Sequence, residues 1–256
     1  MNFNILYILG IAVVIFLASA IQSAVGFAFA LFAAPLLIWM GMPLPHVIAT
    51  MAVCSFLQSV LGASRLRASV PWKSSLVATA TRTVMVGVGL LALRSIVSWD
   101  PMVIKMIVGF ILCVLVGIQM IGRKPPVESV HWIWGGLAFS SSGILAGVSG
   151  MGGPPLVLWS LAHNWSAEKT RGFLFAVFAT SIPVQLALLY IAFGPDILHS
   201  VLLALLLTPA VFLGASIGMP IGNRMSKPAL RKIINIILLI IGLASIIPAV
   251  IHGVWG

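Results

Sequence analysis

The chain has 256 residues, of which 61% are apolar and 7% are charged, with 14 lysines and arginines against 4 aspartates and glutamates. A soluble domain of this length has too small a core to bury so much apolar surface, and a disordered chain would be rich in charge. The long continuous apolar runs also disfavour a transmembrane barrel, whose strands alternate apolar and polar side chains. Composition therefore predicts an all-α polytopic membrane protein.

The apolar runs predict the membrane segments, because a helix needs about 20 apolar residues to cross the hydrocarbon core. Two runs, 3–40 and 131–163, are too long for one crossing and contain clusters of polar or small residues. No other region is long enough for a soluble domain, and the uncharged N-terminus predicts that the first segment is retained rather than cleaved. Single segments are predicted at 47–62, 74–93, 101–121, 172–193, 198–219 and 233–254.

Residues that match at one offset indicate an internal duplication. We therefore divide the one membrane domain into a first repeat, 1–124, and a second repeat, 125–256. Each repeat is expected to contain a broken, re-entrant helical hairpin followed by three transmembrane helices. A shift of 127 residues aligns Gln58 with Gln185, Gly87 with Gly214, Pro101 with Pro228, and Lys105 with Lys232.

The positions of the basic residues predict that the two repeats have inverted topology. We expect a multi-pass protein of the bacterial inner membrane with both termini outside the cytoplasm. Because the basic residues form short clusters rather than one patch, no nucleic-acid partner is expected. If each broken run returns to its starting side, 11 of the 14 lysines and arginines lie in cytoplasmic regions, at 65–73, 123–131, 164–171 and 223–232.

The two interruptions predict a substrate site, because paired breaks in the halves of a transporter mark where substrate binds. Glycine allows close backbone approach, and proline suits the first turn of a following helix. A helix N-terminus inside the membrane would offer free N–H donors and partial positive charge to an anion. The alternative is that these small residues serve only close helix packing. The first interruption, 22–26, contains Ser23 and Gly26, and the second, 149–155, contains Ser149, Gly150, Gly152 and Gly153.

Two stretches carry a family resemblance. Residues 143–156, Gly-Ile-Leu-Ala-Gly-Val-Ser-Gly-Met-Gly-Gly-Pro-Pro-Leu, resemble the signature of the TauE/SafE family, the sulfite exporter or toluene-sulfonate uptake permease family. Residues 23–30, Ser-Ala-Val-Gly-Phe-Ala-Phe-Ala, resemble its N-terminal counterpart, with Phe and Ala in place of the usual glycine run. The resemblance extends over the whole chain. It implies a secondary transporter, an exporter or permease, for small organic or sulfur-containing anions such as sulfonates, sulfoacetate or sulfite.

Polar side chains inside the predicted segments are further candidate substrate contacts. Arg82 lies roughly 13 Å into its segment, where it could neutralise an anion or extend to the cytoplasmic surface. Gln58 and Gln185 could donate to anion oxygens or join two helices. Arg171 is interpreted either as a residue that attracts anions to the cytoplasmic mouth or as a topology signal. Lesser candidates are Asn164, Thr180 and Ser181.

Several other function classes lack the residues they need. None of the acidic residues lies within a predicted segment, which disfavours a cation pump or a carboxylate proton relay. Without a phosphate loop, a protease motif or clustered metal ligands, we expect no enzyme activity, no cofactor and no metal. Cys54 and Cys113 are interpreted as packing residues. The alternatives to a transporter are a non-transporting scaffold or assembly protein, and an anion channel. The expected partners are a small anion and the lipid bilayer, and the oligomeric state stays open, a homodimer included.

Overall fold

The computed structural model of the protein describes residues 5–25, 28–121, 130–224 and 235–247. As predicted, these ranges form helices, and they contain no strand. A short 3-10 helix, Arg67–Ser69, connects the third and fourth helices. The helices are α1 (Ile5–Val25), α2 (Phe29–Trp39), α3 (Leu44–Arg65), α4 (Trp72–Ile96), α5 (Pro101–Ile121), α6 (Trp132–Ser149), α7 (Gly153–Leu161), α8 (Ala167–Phe193), α9 (Ile197–Leu206), α10 (Thr208–Arg224) and α11 (Asn235–Ile247).

Helix length and side-chain burial both indicate a multi-pass membrane protein. In the described part of the chain, α1, α3, α4, α5 and α8 are long and apolar enough to span a membrane, and the bent α9–α10 pair would add a sixth span. Large apolar side chains cover the outside, as at Val84 and Ile191, which are 69% and 77% exposed. The polar side chains of Arg82 and Gln185 are instead buried. Such a distribution suits a lipid environment.

Both broken runs fold into hairpins, as the sequence predicts. The Met40 side chain at the end of α2 lies against Gly10 near the start of α1. In the second hairpin, Trp159 of α7 packs against Gly135 of α6, and its ring centroid lies 4.8 Å from that of Phe139. The second arm of each hairpin therefore returns towards the end at which the first arm began.

The first break lies later than predicted. Helix α1 continues through Val25, so Gln22 and Ser23 are helical rather than part of an irregular segment. The reason is local, since no residue between Gln22 and Val25 interrupts helical hydrogen bonding as proline does. Gly26, predicted as part of the break, lies outside the described residues.

The second break agrees with its sequence signals. Helix α6 ends at Ser149 and is capped by Gly150, whose φ of 75° is left-handed, a conformation that glycine adopts without steric cost. Helix α7 begins at Gly153, with Pro154 and Pro155 in its first turn as predicted. Proline is tolerated there because the first N–H groups of a helix have no intrahelical partner.

The predicted segment 198–219 is two helices rather than one. Helices α9 and α10 meet at Leu207 with a bend of 52°. Pro209 is the second residue of α10. Its ring would clash with the carbonyl four residues earlier and it supplies no N–H, so a straight helix through this position is disfavoured.

Glycines allow the closest contacts between helices. Helix α6 packs along α4, with Gly147 against the Val86 carbonyl, and α1 packs along α10, with Gly218 against the Ala20 carbonyl. Close backbone approach supplies the packing energy that hydrophobic burial cannot supply between helices in lipid. Helix α3 packs along α8, and α8 also contacts α4. Helix α3 also contacts α2 of the first hairpin, whereas α4 and α8 contact the second hairpin.

Candidate functional site

A cavity of about 60 Å³ lies where the two broken hairpins meet. On the scale of about 10–15 Å³ per enclosed water, it has room for several waters or for a small oxyanion. Both breaks reach the cavity, and α3, α4 and α8 form the rest of its wall. The lining residues used below are Gln22, Ala28, Met51, Ser55, Arg82, Gly150, Gly152, Gly153, Phe178 and Gln185.

The N-terminal ends of α2 and α7 both reach this cavity. Neither N-cap residue, Ala28 for α2 or Gly152 for α7, makes a side-chain hydrogen bond to the first turn. The first N–H groups of each helix are therefore free of intrahelical partners, and the helix dipole adds partial positive charge. In α7, Pro154 and Pro155 carry no N–H, so the donors concentrate at Gly152 and Gly153. Two helix termini with these properties can accept an anion between them.

Two left-handed residues border the cavity, one at each break. Gly150 has φ 75°, and a Cβ added there would lie 2.7 Å from the Met51 methyl carbon. Ala28 has φ 88° and is the one non-glycine residue with positive φ in the described ranges. For an L-residue this conformation costs about 1–2 kcal/mol. Such strain is retained mainly where the surrounding structure fixes it, as at binding sites.

Arg82 faces the cavity rather than extending to the surface of the bundle. It is the eleventh of the 25 residues of α4, and its side chain is 3% exposed. Nη1 donates to Ser181 Oγ at 2.5 Å, Nη2 donates to Gln185 Oε1 at 3.3 Å, and the guanidinium carbon lies 5.6 Å from the Phe178 ring centre. Nε has no partner among the described residues. These contacts are all neutral, so no contact among the described residues supplies a negative charge to compensate the buried positive charge.

Gln185 connects Arg82 to the second hairpin. Its Oε1 accepts from Arg82, and its Nε2 donates to the Ala146 carbonyl at 3.2 Å. Gln58 makes the matching contact in the first half, from Nε2 to the Ser19 carbonyl at 3.5 Å. Ser19 and Ala146 are separated by the same 127 residues as Gln58 and Gln185. Each glutamine thus joins the first arm of the hairpin in its own half to a neighbouring helix.

The other predicted site residues that the structure describes do not line the cavity. Ser23 lies beside it, where its Oγ accepts from Gln58 Nε2 at 2.6 Å. Ser149 is buried, and its hydroxyl donates to a carbonyl of its own helix. Arg171 is half-buried in the first turns of α8, and its Nε has no partner among the described residues. Gly26 lies outside the described residues.

Sequence reasoning missed one face of α3 and undervalued one face of α8. A search for polar residues does not find Met51 or Phe178, and ours passed over Ser55 and gave Ser181 only as a lesser candidate. Helical spacing could have found them, because residues three, four and seven positions apart share a face. These residues are Met51 and Ser55, which precede Gln58, and Phe178 and Ser181, which precede Gln185.

The fold and the cavity define a class: a polytopic helical membrane protein whose two broken hairpins meet at a buried, positively charged site. The sequence pattern of the sulfite exporter TauE/SafE family matches residues 11–245. The chain therefore belongs to the TauE/SafE family of membrane transporters, which confirms the resemblance. Comparisons with curated proteins and with solved structures found no significant match.

Proposed function

We propose that this protein is a secondary transporter, an exporter or permease, for small organic or sulfur-containing anions such as sulfonates, sulfoacetate or sulfite. One observation carries the proposal: the guanidinium of Arg82 is buried at a cavity, and the contacts described for it are neutral. Membership of a sulfite-exporter family supports transport rather than catalysis.

The geometry supports one binding mode for the anion. Its oxygens would accept from Arg82 Nε and from the N–H groups of Gly152 and Gly153, while Gln185 holds the guanidinium in place. A guanidinium suits an oxyanion because its planar donors match the spacing of the oxygens. The organic part of a sulfonate would contact the Met51 side chain. Protein groups would then replace the water shell that the anion loses.

We also propose alternating access between two inverted repeats, 1–124 and 125–256. The packing of the helices supports two related halves. The counterparts in the two halves are α1 and α6, α3 and α8, and α4 and α10. The pair α1–α10 therefore corresponds to the pair α6–α4, both pairs are in contact, and α3 contacts its own counterpart α8. The contacts at the ends of α3 and α8 support inverted repeats too. Val70, which follows α3, lies against Gly172 near the start of α8, whereas His46 near the start of α3 is 2.7 Å from Ser200 of α9, which follows α8. Helices α3 and α8, which are counterparts in the two halves, therefore run antiparallel. Rocking of one repeat against the other would then expose the cavity to each side in turn.

Uptake by liposomes that contain the purified protein tests this function. We expect saturable uptake of radiolabelled sulfoacetate or sulfite, inhibition by unlabelled sulfonates, and accelerated exchange when the same anion is loaded inside. A scaffold protein would give no flux under any gradient, and a channel would give flux without saturation or exchange. Either of those results would overturn the proposal.

A further inference from the structure

The Gln58 side chain has a buried oxygen atom with no partner among the described residues. The side chain is 7% exposed, and Nε2 donates to Ser23 Oγ at 2.6 Å and to the Ser19 carbonyl at 3.5 Å. Oε1 accepts from none of the described residues. Buried acceptors are nearly always satisfied by a donor, a water or an ion, so this oxygen points to a ligand.

The second half shows what the matching oxygen binds. There, Gln185 Oε1 accepts from a cationic group, Arg82 Nη2, at 3.3 Å. The residue 127 positions after Arg82 is Pro209, which carries neither a charge nor a side-chain donor. The two glutamines thus occupy matching positions, but among the described residues a cationic side chain contacts only Gln185.

The surroundings of Gln58 have the polarity that attracts a cation. Ser23 lies in the last turn of α1, whose final carbonyls have no intrahelical donor and carry the negative end of the helix dipole. Gln22, next to Ser23, and Ser55, one turn before Gln58, both line the central cavity. The position beside Gln58 therefore adjoins the cavity.

We propose that a monovalent alkali cation binds beside Gln58 Oε1 and Ser23 Oγ at the C-terminal end of α1, and that its binding is coupled to that of the anion. The ligands are neutral oxygens without a carboxylate, which suits a singly charged rather than a divalent ion. An amide does not titrate, so the site does not serve a proton. Broken transporter helices bind coupling ions through such half-helix C-terminal ends. Only the coupling, not the cation site itself, rests on the proposed transport function.

Binding of radioactive sodium to the purified full-length protein in detergent tests the site directly. Potassium and lithium salts serve as competitors, and choline chloride keeps the ionic strength constant. We expect saturable sodium binding that Gln58→Ala weakens by about tenfold or more, and that the exposed α3 variant Ser64→Ala leaves unchanged. Gln58→Glu keeps the oxygen and adds a negative charge, so it should bind sodium more tightly. No binding by the wild-type protein, or equal binding by Gln58→Ala, overturns the inference.

Anion uptake by the same protein in liposomes separates this inference from the proposed function. We expect an inward sodium gradient to accelerate uptake by the wild-type protein and not by Gln58→Ala. Saturable anion uptake without sodium binding would retain the transporter and overturn the cation site. Sodium binding without anion flux under any gradient would retain the site and overturn the transporter.

Discussion

At the scale of single residues, burial of the Arg82 charge costs free energy, and the described residues satisfy only some of its hydrogen-bond donors. Its hydrogen bonds to Ser181 and Gln185 and its contact with Phe178 offset part of the cost of burying a charge. An arginine kept only to join helices would be expected to have all its donors occupied. Its Nε instead has no partner among the described residues, and its side chain lines the cavity, which indicates that its hydrogen bonding is incomplete without a ligand.

The first prediction removes this charge. Arg82→Ala should weaken anion binding by the purified protein about 10- to 100-fold, the loss expected for a charge-assisted hydrogen bond of about 1.5–3 kcal/mol. Isothermal titration calorimetry measures the affinity. Arg94→Ala is the matched control, because Arg94 lies on the same helix and is exposed. Wild-type affinity in Arg82→Ala would remove Arg82 from the site.

The second prediction keeps the Arg82 guanidinium and places a negative charge beside it. In Gln185→Glu, the new carboxylate would pair with Arg82 at the position where Oε1 now accepts. Anion affinity should fall about as far as in Arg82→Ala, while thermal stability in detergent stays equal or rises because the buried charge gains a partner. Undiminished anion binding by this variant would show that the charge of Arg82 does not hold the anion.

At the scale of elements, the breaks in the two hairpins border the cavity. Each break contains a residue with a left-handed backbone conformation, but the two residues differ in type. Gly150 adopts positive φ freely, whereas Ala28 adopts it at a cost. The hairpin near Ala28 therefore holds strain that the hairpin near Gly150 does not.

The third prediction follows from that difference. Ala28→Gly should raise the stability of the protein by about 1 kcal/mol because it relieves the strain. Gly150→Ala should lower it by at least about 1–2 kcal/mol, since it gains the strain and its Cβ would approach Met51. Unfolding in detergent with increasing denaturant measures both. Equal midpoints for the two variants would contradict this account of the breaks.

The sequence predicts the existence of the helices better than their interruptions. The predicted limits of α5, 101–121, agree with the structure because Pro101 marks a clear start. The bend at Leu207 was missed although Pro209 marks it, because the apolar run is continuous there. Hydropathy reports how long an apolar run is, and backbone geometry decides where its helix breaks.

At the scale of the whole molecule, much of the site's composition is readable from sequence and its assembly is not. The sequence singled out Arg82 as a charge within a predicted membrane segment, Gln185 by the pseudo-repeat and the second break by its motif, and all of these reach the cavity. That Ser181 and Phe178 contact Arg82 depends on how α8 is rotated against α4, which no local pattern reports. Which side chains meet between helices is a property of packing rather than of sequence spacing.

The fourth prediction tests the inverted repeats through the positions of two loops. In a variant without Cys54 and Cys113, single cysteines replace Gly41, after α2, or Glu168, in the first turn of α8. Both positions are exposed. A thiol reagent that does not cross membranes should label one of them from outside intact cells and the other only after the cells are opened. Labelling of both from the same side would refute the inverted arrangement.

Protection of a cysteine in the cavity tests most directly whether this cavity is where the anion binds. In the same background, Ser55→Cys lines the cavity, and Ser64→Cys, which lies closer to the C-terminal end of α3, is exposed. A saturating concentration of sulfoacetate or sulfite should slow labelling of Ser55→Cys and leave Ser64→Cys unchanged. If liposomes with Ser55→Cys still transport the anion but labelling of that cysteine is not slowed, the anion binds elsewhere and the central claim is wrong.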